Sequence, residues 1–242
     1  NREAEHYWLS EGMTEFVTFR AMVRAGLWGA EEFADRLNEA MAGFAASKLR
    51  TTANVPASRL YWTDNDGRML PYQRGLMFAL LIDDRLRAKT GGKRTLDDIL
   101  LDMKARAGAD LRKQHDALYF LRRSMAASGS PVDDAIGQYI DRGRPIALPV
   151  DLFAPCGTIR QVERATYDAG FDAQASFAAG DKIARGVRAN GPAARAGLRN
   201  GMRLVGWSIN PGALDTPVEV TAVVDGKNVR FSWLPHGEPV TR

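Results

Sequence analysis

The chain has 242 residues, of which 45% are hydrophobic and 26% are charged. This balance is typical of globular proteins with hydrophobic cores, and it excludes collagen-like, disordered and membrane-spanning chains. The longest apolar stretch, residues 75–82, is far shorter than the roughly 18 residues that a membrane-spanning helix needs, so we expect no membrane partner. The single cysteine, Cys156, allows no internal disulfide bond and identifies no compartment.

The formal net charge of +4 is spread thinly along the chain. The sequence contains no basic run interleaved with aromatic side chains, the pattern that favours binding to a phosphate backbone. We therefore expect no nucleic-acid partner. Because the chain begins at Asn1, without a basic leader followed by an apolar segment, we also expect it to be a piece of a longer protein.

Up to about residue 145, apolar residues recur at spacings of three and four, the period of an amphipathic helix. Thr95, followed by Asp97 and Asp98, has the pattern of an N-cap with acidic residues in the first turn. Ser130 before Pro131 is a second start signal. We predict a helical bundle with helices over residues 10–26, 30–50, 71–89, 95–106, 110–127 and 131–142.

The character of the sequence changes in the segment between Gly143 and Gly157. This segment is rich in proline and nearly free of charge, which is typical of a linker. Beyond it, residues 218–224 and 229–233 alternate in polarity, and Asp225-Gly226 between them indicates a two-residue hairpin turn. The predicted fold class is α+β. A helical part over residues 1–155 is followed by a small β-rich domain over residues 156–242.

The spacing of reactive groups predicts no catalytic site by itself. His6, His115 and His236 are scattered, and neither H-E-x-x-H nor a cysteine cluster offers a zinc site. The sequence also lacks a G-x-S-x-G elbow and a Walker loop. Each histidine alone fits a surface or partly buried imidazole, so a function has to be inferred from longer patterns.

Two longer patterns resemble one enzyme class. Residues 7–16, YWLSEGMTEF, resemble the W-L-x-E-G-x-T helix of the gluzincin aminopeptidases, whose glutamate is the third zinc ligand after the two histidines of H-E-x-x-H. Residues 71–75, PYQRG, resemble the Y-x-[KR]-G segment in which these enzymes place a catalytic tyrosine. The two patterns occur in the order that these enzymes show.

A third pattern lies in the predicted β-rich part. Residues 191–204, GPAARAGLRNGMRL, resemble the G-S-P-A-A-x-A-G-L-x-x-G-D-x-L signature of PDZ domains. In it, Pro192 sets the first helical φ angle and Gly197 supplies the left-handed residue after a short helix. An aminopeptidase-like helical part joined to a PDZ-like domain resembles the PDZ-containing glycyl aminopeptidases, a family of zinc metallopeptidases.

This resemblance implies roles for two residues. Glu11 would be the carboxylate ligand in a zinc site of two histidines and one glutamate, which leaves a position open for water or substrate. Tyr72 would donate a hydrogen bond from its phenol to the oxyanion formed during peptide hydrolysis. Without the resemblance, Glu11 is simply a favourable first-turn acid, Tyr72 packs its ring on the core, and Arg74 is a solvated first-turn residue.

The sequence also departs from the family pattern. The histidines and the general-base glutamate of such enzymes precede the ligand glutamate by about 18 residues or more, whereas only ten residues precede Glu11. We therefore expect the C-terminal part of a metallo-aminopeptidase that acts on peptides when full length, with the upstream catalytic segment as its partner. We expect the piece alone to be inactive and to bind no zinc tightly. A pseudo-enzyme that keeps Glu11 but lacks the histidines is a further hypothesis.

The PDZ-like segment suggests a function of another class. Gly170 and Phe171 fit the loop that binds the terminal carboxylate of a peptide through free backbone N–H groups. Residues 210–217, NPGALDTP, are too short and too rich in proline and glycine to form the second helix of a peptide groove. The alternative to an enzyme is a non-catalytic peptide-binding or scaffold module built on this domain.

Overall fold

The computed structural model describes residues 2–110, 115–160, 162–178 and 180–241. The chain divides into two compact units, Asn1–Arg160 and Gln161–Arg242, a few residues beyond the predicted boundary at 155/156. The first unit is helical and the second is built mainly from short antiparallel strands. This confirms the predicted α+β class, with a helical part ahead of a small β part. Within the described ranges, no helix is both long and apolar enough to cross a bilayer.

The helical unit opens with a 3-10 helix, Arg2–His6, that runs directly into the first α-helix. Its described α-helices are Tyr7–Arg24 (α1), Ala30–Ala46 (α2), Asn54–Ser58 (α3), Asn65–Thr90 (α4), Leu96–Ala109 (α5), Ala117–Ala127 (α6) and Asp133–Ala135 (α7). Helix α7 continues as a π-helical turn, Ile136–Asp141.

Helix α4 lies at the centre of this unit. Its residues 76–82 are apolar without interruption, and all of them are buried. A helix segment that is apolar all round has no face for water, so neighbouring helices must cover it. Helix α1 packs along α4, where Trp8 meets Phe78 edge to face at a ring separation of 5.3 Å. Helices α2 and α5 also contact α4.

The start of α5 confirms one predicted cap, and the start of α7 contradicts another. The Asp98 carboxylate accepts the N–H and the hydroxyl of Thr95 at 2.8 and 3.0 Å, so Thr95 is the N-cap of α5 within a capping box. The predicted start at Ser130 is wrong. Helix α7 begins at Asp133, and the residue in the capping position is Val132.

The described strands of the second unit are Glu163–Tyr167 (β1), Arg203–Ser208 (β2), Val218–Val224 (β3), Lys227–Trp233 (β4) and His236–Thr241 (β5). Two short helices, Ala173–Ala178 (α8) and Pro192–Arg195 (α9), lie between β1 and β2. Strand β3 is the middle of a three-stranded antiparallel sheet with β2 and β4, while β1 pairs with β5. Along β3, Val218, Val220 and Ala222 are buried, as the predicted alternation requires.

Backbone geometry confirms two of the predicted turns. Asp225 and Gly226 have φ angles of 49° and 76°, as a two-residue type I′ turn between β3 and β4 requires. Pro192 is the first residue of α9, and Gly197 follows that helix with a φ angle of 107°. Residues 210–217 form turns and no helix, as their content of proline and glycine predicts.

Candidate active site

Helices α1 and α4 cross in backbone contact at a pair of glycines. A Cβ atom on Gly12 would lie closer than 3.0 Å to the backbone of Gly75, and one on Gly75 would overlap the carbonyl oxygen of Trp8. Any side chain at either position would therefore force the two helices apart. The close approach brings the residues that flank the two glycines to the same level of the helix pair.

The two residues of the predicted catalytic site flank this crossing. Glu11 directly precedes Gly12 in α1, and Tyr72 lies one helical turn before Gly75 in α4. Tyr72 lies close enough to Glu11 for the negative charge of that carboxylate to raise the pKa of its phenol. Both Glu11 and Tyr72 are half-buried, so each keeps part of its side chain in contact with solvent. The structure thus brings together two residues that are far apart in the sequence.

The surroundings of Tyr72 raise the pKa of its phenol well above the ordinary value. Interaction with the Tyr61 side chain is the largest cause, partial burial is the second, and the negative charge of Glu11 adds to both. Each of these disfavours the charged phenolate. Tyr72 therefore keeps its proton across the physiological range, as a hydrogen-bond donor must.

Other ionisable groups near Glu11 respond to the same negative charge. Burial, followed by the charge of Glu11, raises the pKa of the Glu15 carboxyl one helical turn further along α1. The pKa of Tyr7, one turn earlier, is raised mainly by desolvation and by Glu3, with smaller contributions from Tyr61 and Glu11. This patch of α1 is therefore electrostatically suited to a cation, because a positive charge beside Glu11 would offset the repulsion between the Glu11 and Glu15 carboxylates.

The donor chemistry of the patch fits one zinc ligand and not a complete zinc site. Glu11 offers a carboxylate oxygen, a usual ligand of zinc. Across the ranges that the structure describes, no three histidine, cysteine, aspartate or glutamate residues are grouped closely enough to hold a metal ion. The imidazole of His115 contacts Asp110, and that of His236 contacts the carbonyl oxygen of Leu214. A zinc ion at Glu11 therefore needs further ligands from outside the described residues.

Arg74, two residues after Tyr72, contradicts the prediction of a solvated side chain, because it is only 1% exposed. Burial lowers the pKa of its guanidinium to about 10, so the group is still charged near neutral pH. Its Nη2 atom donates to three backbone oxygens at 3.2, 3.2 and 2.7 Å, those of Leu49, Arg50 and Thr52. Arg74 thereby fixes this loop to the part of α4 that carries Tyr72. A sequence signal existed: Arg74 stands four residues from both Leu70 and Phe78, which are buried apolar residues.

The structure places Gly170 and Phe171 inside the β unit. The Gly170 N–H donates to the Asp168 carboxylate at 2.6 Å, and the Gly170 carbonyl oxygen accepts the Arg188 N–H at 3.2 Å. Phe171 is buried, with its ring 6.2 Å from that of Trp233. Their role in binding a peptide carboxylate stays a prediction, and the engaged N–H of Gly170 counts against it.

The helical unit matches a known family. Residues 1–69 match the family model of the M61 glycyl aminopeptidases. This confirms the resemblance that the sequence motifs indicated. The matched segment includes Glu11 and ends shortly before Tyr72. No curated protein sequence matches the chain.

One solved structure is similar to almost the whole chain. The crystal structure of the aminopeptidase N family protein from Idiomarina loihiensis has a TM-score of 0.58 and a sequence identity of 14%. The similarity covers 98% of this chain and 47% of that protein, so this chain spans about half of that protein's length. At this identity the likeness shows the fold alone.

Proposed function

We propose that this chain is the C-terminal part of a zinc aminopeptidase that removes small, glycine-like residues from the N-terminus of peptides. The observation that carries the proposal is the meeting of Glu11 and Tyr72 at the Gly12–Gly75 crossing. Two independent motifs single out these residues, and the fold joins them in one half-buried patch. The match of residues 1–69 to the M61 family model supports the same class of reaction.

In this proposal Glu11 is the carboxylate zinc ligand. The two histidines and the general-base glutamate of H-E-x-x-H, which this chain lacks, come from another segment of the full-length protein. The metal, when bound, supplies an activated water for attack on the peptide carbonyl. Glu11 contributes a charged oxygen that the α1 backbone holds at the crossing, and the absence of a Cβ on Gly12 keeps that position close to α4.

Tyr72 acts on the substrate oxygen. Its phenol is neutral because its pKa is raised, so it donates a hydrogen bond to the carbonyl oxygen as negative charge develops there. A donor fixed in place before the reaction needs little rearrangement during it, which is why such groups lower the barrier. Arg74 supports this position by holding the adjacent loop against α4.

For the second unit we propose a PDZ-like domain with a docking role. Helix α9 begins at Pro192, and Gly197 adopts the positive φ angle that the PDZ signature requires, which supports the assignment. The Gly170 N–H is engaged by Asp168, so it is not free for a peptide carboxylate. The alternative function, a non-catalytic peptide-binding or scaffold module, draws its support from this unit alone.

The decisive test is Glu11→Gln in the full-length protein, which keeps the shape of the side chain and removes its charge. We expect the variant to lose most of its zinc and most of its hydrolysis of glycyl anilides. Glu39→Gln on α2 is the matched control, because the Glu39 side chain is 78% exposed, and it should keep both. Full zinc content and activity in Glu11→Gln would overturn the assignment of Glu11. A wild-type protein that cleaves no aminoacyl substrate would favour the scaffold function.

A further inference from the structure

Arg74 is a buried cation whose hydrogen bonds, in the part of the chain that the structure describes, include none to a carboxylate. Its side chain is 1% exposed, and its Nη2 atom donates to three backbone oxygens of residues 49–52. The Nε and Nη1 atoms are also buried, and they have no hydrogen-bond partner among the described residues. Half of the guanidinium is therefore bonded to the loop, and the other half is left over.

The unbonded half of this guanidinium is energetically costly. The N–H groups on Nε and Nη1 have lost contact with solvent without gaining a protein acceptor. The three backbone oxygens at Nη2 supply only partial negative charge, so the full positive charge has no counter-charge beside it. Buried charges in proteins are ordinarily paired as well as hydrogen-bonded. The chemistry of this position therefore favours a small anion.

A small cavity adjoins Arg74 within the helical unit. Its volume is about 10 Å³, which is enough for one particle of the size of a water molecule. Trp8 lines it from α1, Ala57 and Ser58 line it from α3, and Gly67 lines it from α4 together with Arg74. Among the described residues of this lining, Arg74 alone is charged. A particle in the cavity would thus meet a positive charge that no acidic side chain of the lining offsets.

We propose that this cavity is a binding site for one chloride ion, which accepts hydrogen bonds from the unbonded half of Arg74. A water molecule fits the same space, but its oxygen brings no charge to balance the guanidinium. Polyatomic anions such as acetate and phosphate are too large for a cavity of about 10 Å³. Asn54, which also lines the cavity, donates one amide hydrogen to the Glu5 carbonyl oxygen and has a second one to offer to an anion.

The bound ion would link the helices that line the cavity. Because the site is assembled from three helices, it exists in the folded chain and not in the unfolded one. An anion that binds only the folded state stabilises that state in proportion to the logarithm of its concentration. The inference concerns the stability of the helical unit, so it does not depend on the proposed catalytic roles of Glu11 and Tyr72.

The test compares the Tm of the full-length protein in chloride and in gluconate, each at about 0.1 M and at the same ionic strength and pH. We expect Tm to be higher in chloride by about 2 °C. Arg74→Gln should abolish the difference. Arg68→Gln is the matched control, because Arg68 is an exposed arginine on the same helix, and it should keep the difference in full.

Two further measurements keep the proposal testable if Arg74→Gln does not fold. Ala57→Val fills the cavity and leaves Arg74 in place, so it should also abolish the chloride effect. Crystals of the full-length protein soaked in bromide should show an anomalous scattering peak beside the Nε and Nη1 atoms of Arg74. Equal Tm values in chloride and gluconate, a chloride effect that persists in Ala57→Val, or a water molecule without bromide at this position would each overturn the proposal.

Discussion

Gly12 and Gly75 touch through their backbones where α1 crosses α4, and no side chain separates the two helices there. The same contact packs the core and sets the distance between the two proposed catalytic residues, because Glu11 and Tyr72 are carried by the two segments in contact. The stability of the helical unit and the relative position of Glu11 and Tyr72 therefore depend on the same contact. A change that separates the two helices should lower the stability and displace the two residues.

Gly75→Ala tests this coupling. The added methyl group would overlap the carbonyl oxygen of Trp8, which belongs to backbone and cannot swing away. We expect the free energy of unfolding to fall by at least about 3 kcal/mol, the upper range for overpacking in a core. Gly108→Ala in α5 is the control, because nothing lies within 4 Å of the new Cβ atom, and alanine should stabilise that helix by up to about 1 kcal/mol. Urea unfolding of both variants measures the difference, and equal effects would show that the crossing tolerates a side chain.

A buried carboxylate supplies a second test of the helical core. Asp83 is 1% exposed and accepts the Leu96 N–H at 2.6 Å and the Arg87 guanidinium at 2.7 Å, which joins α4 to the start of α5. Asp83→Asn removes the buried charge that faces Arg87 and Arg20, so we expect the free energy of unfolding to fall by about 2 kcal/mol, within the range for a hydrogen bond to a charged group. The matched surface change, Asp102→Asn beside Arg106, should cost less than about 1 kcal/mol. Denaturant midpoints that are the same for the two variants would contradict the structural role of Asp83.

Local signals in the sequence predicted the local structure well. The capping box of Thr95 and Asp98 and the Asp225-Gly226 turn each depend on a few neighbouring residues, so their patterns are readable without the fold. The order of a helical part before a β part is also readable locally, because apolar residues recur every three or four positions in the first part and every two positions in the second. The start at Ser130 was wrong because the chain adopts helical hydrogen bonding only from Asp133 onward.

Long-range contacts were not predictable in this way. The approach of Gly12 to Gly75 joins two helices that are distant in the sequence, and no local pattern specifies which faces meet. The burial of Arg74 depends on the loop carbonyls that fold over it, which lie more than twenty residues away in the sequence. The motifs named Glu11 and Tyr72, whereas the fold alone reveals that α1 and α4 meet at Gly12 and Gly75.

The capping box of α5 should make stability depend on pH. The ionised Asp98 carboxylate accepts two hydrogen bonds from Thr95, which lowers the pKa of Asp98 below its ordinary value in the folded state. Its contribution is therefore complete above the unfolded-state pKa, about 3.9, and is lost as the pH falls through the lower folded-state pKa. Asp98→Asn should lower the urea midpoint at pH 7 and have little effect near pH 2. An equal loss at both pH values would show that the charge of Asp98 does not contribute.

Tyr72→Phe in the full-length enzyme tests the step closest to the reaction. The change keeps the ring and removes only the hydroxyl, so the half-buried packing of α4 should persist and Tm should stay nearly constant. Zinc content should also be unchanged, since Glu11 keeps its carboxylate. If the phenol stabilises the tetrahedral oxyanion, kcat should fall by about 10² to 10³, the usual effect of losing one oxyanion donor.

The division of the Tyr72→Phe defect between kcat and KM decides its interpretation. A donor that acts only as charge develops cannot contribute to binding of the uncharged carbonyl, so KM should hardly change. A tyrosine with a purely structural role would leave kcat intact, or would lower Tm if its hydroxyl makes a buried hydrogen bond. Steady-state kinetics on one series of glycyl anilides distinguishes these outcomes. A variant whose entire defect lies in KM would show that the phenol binds the substrate and does not stabilise the transition state.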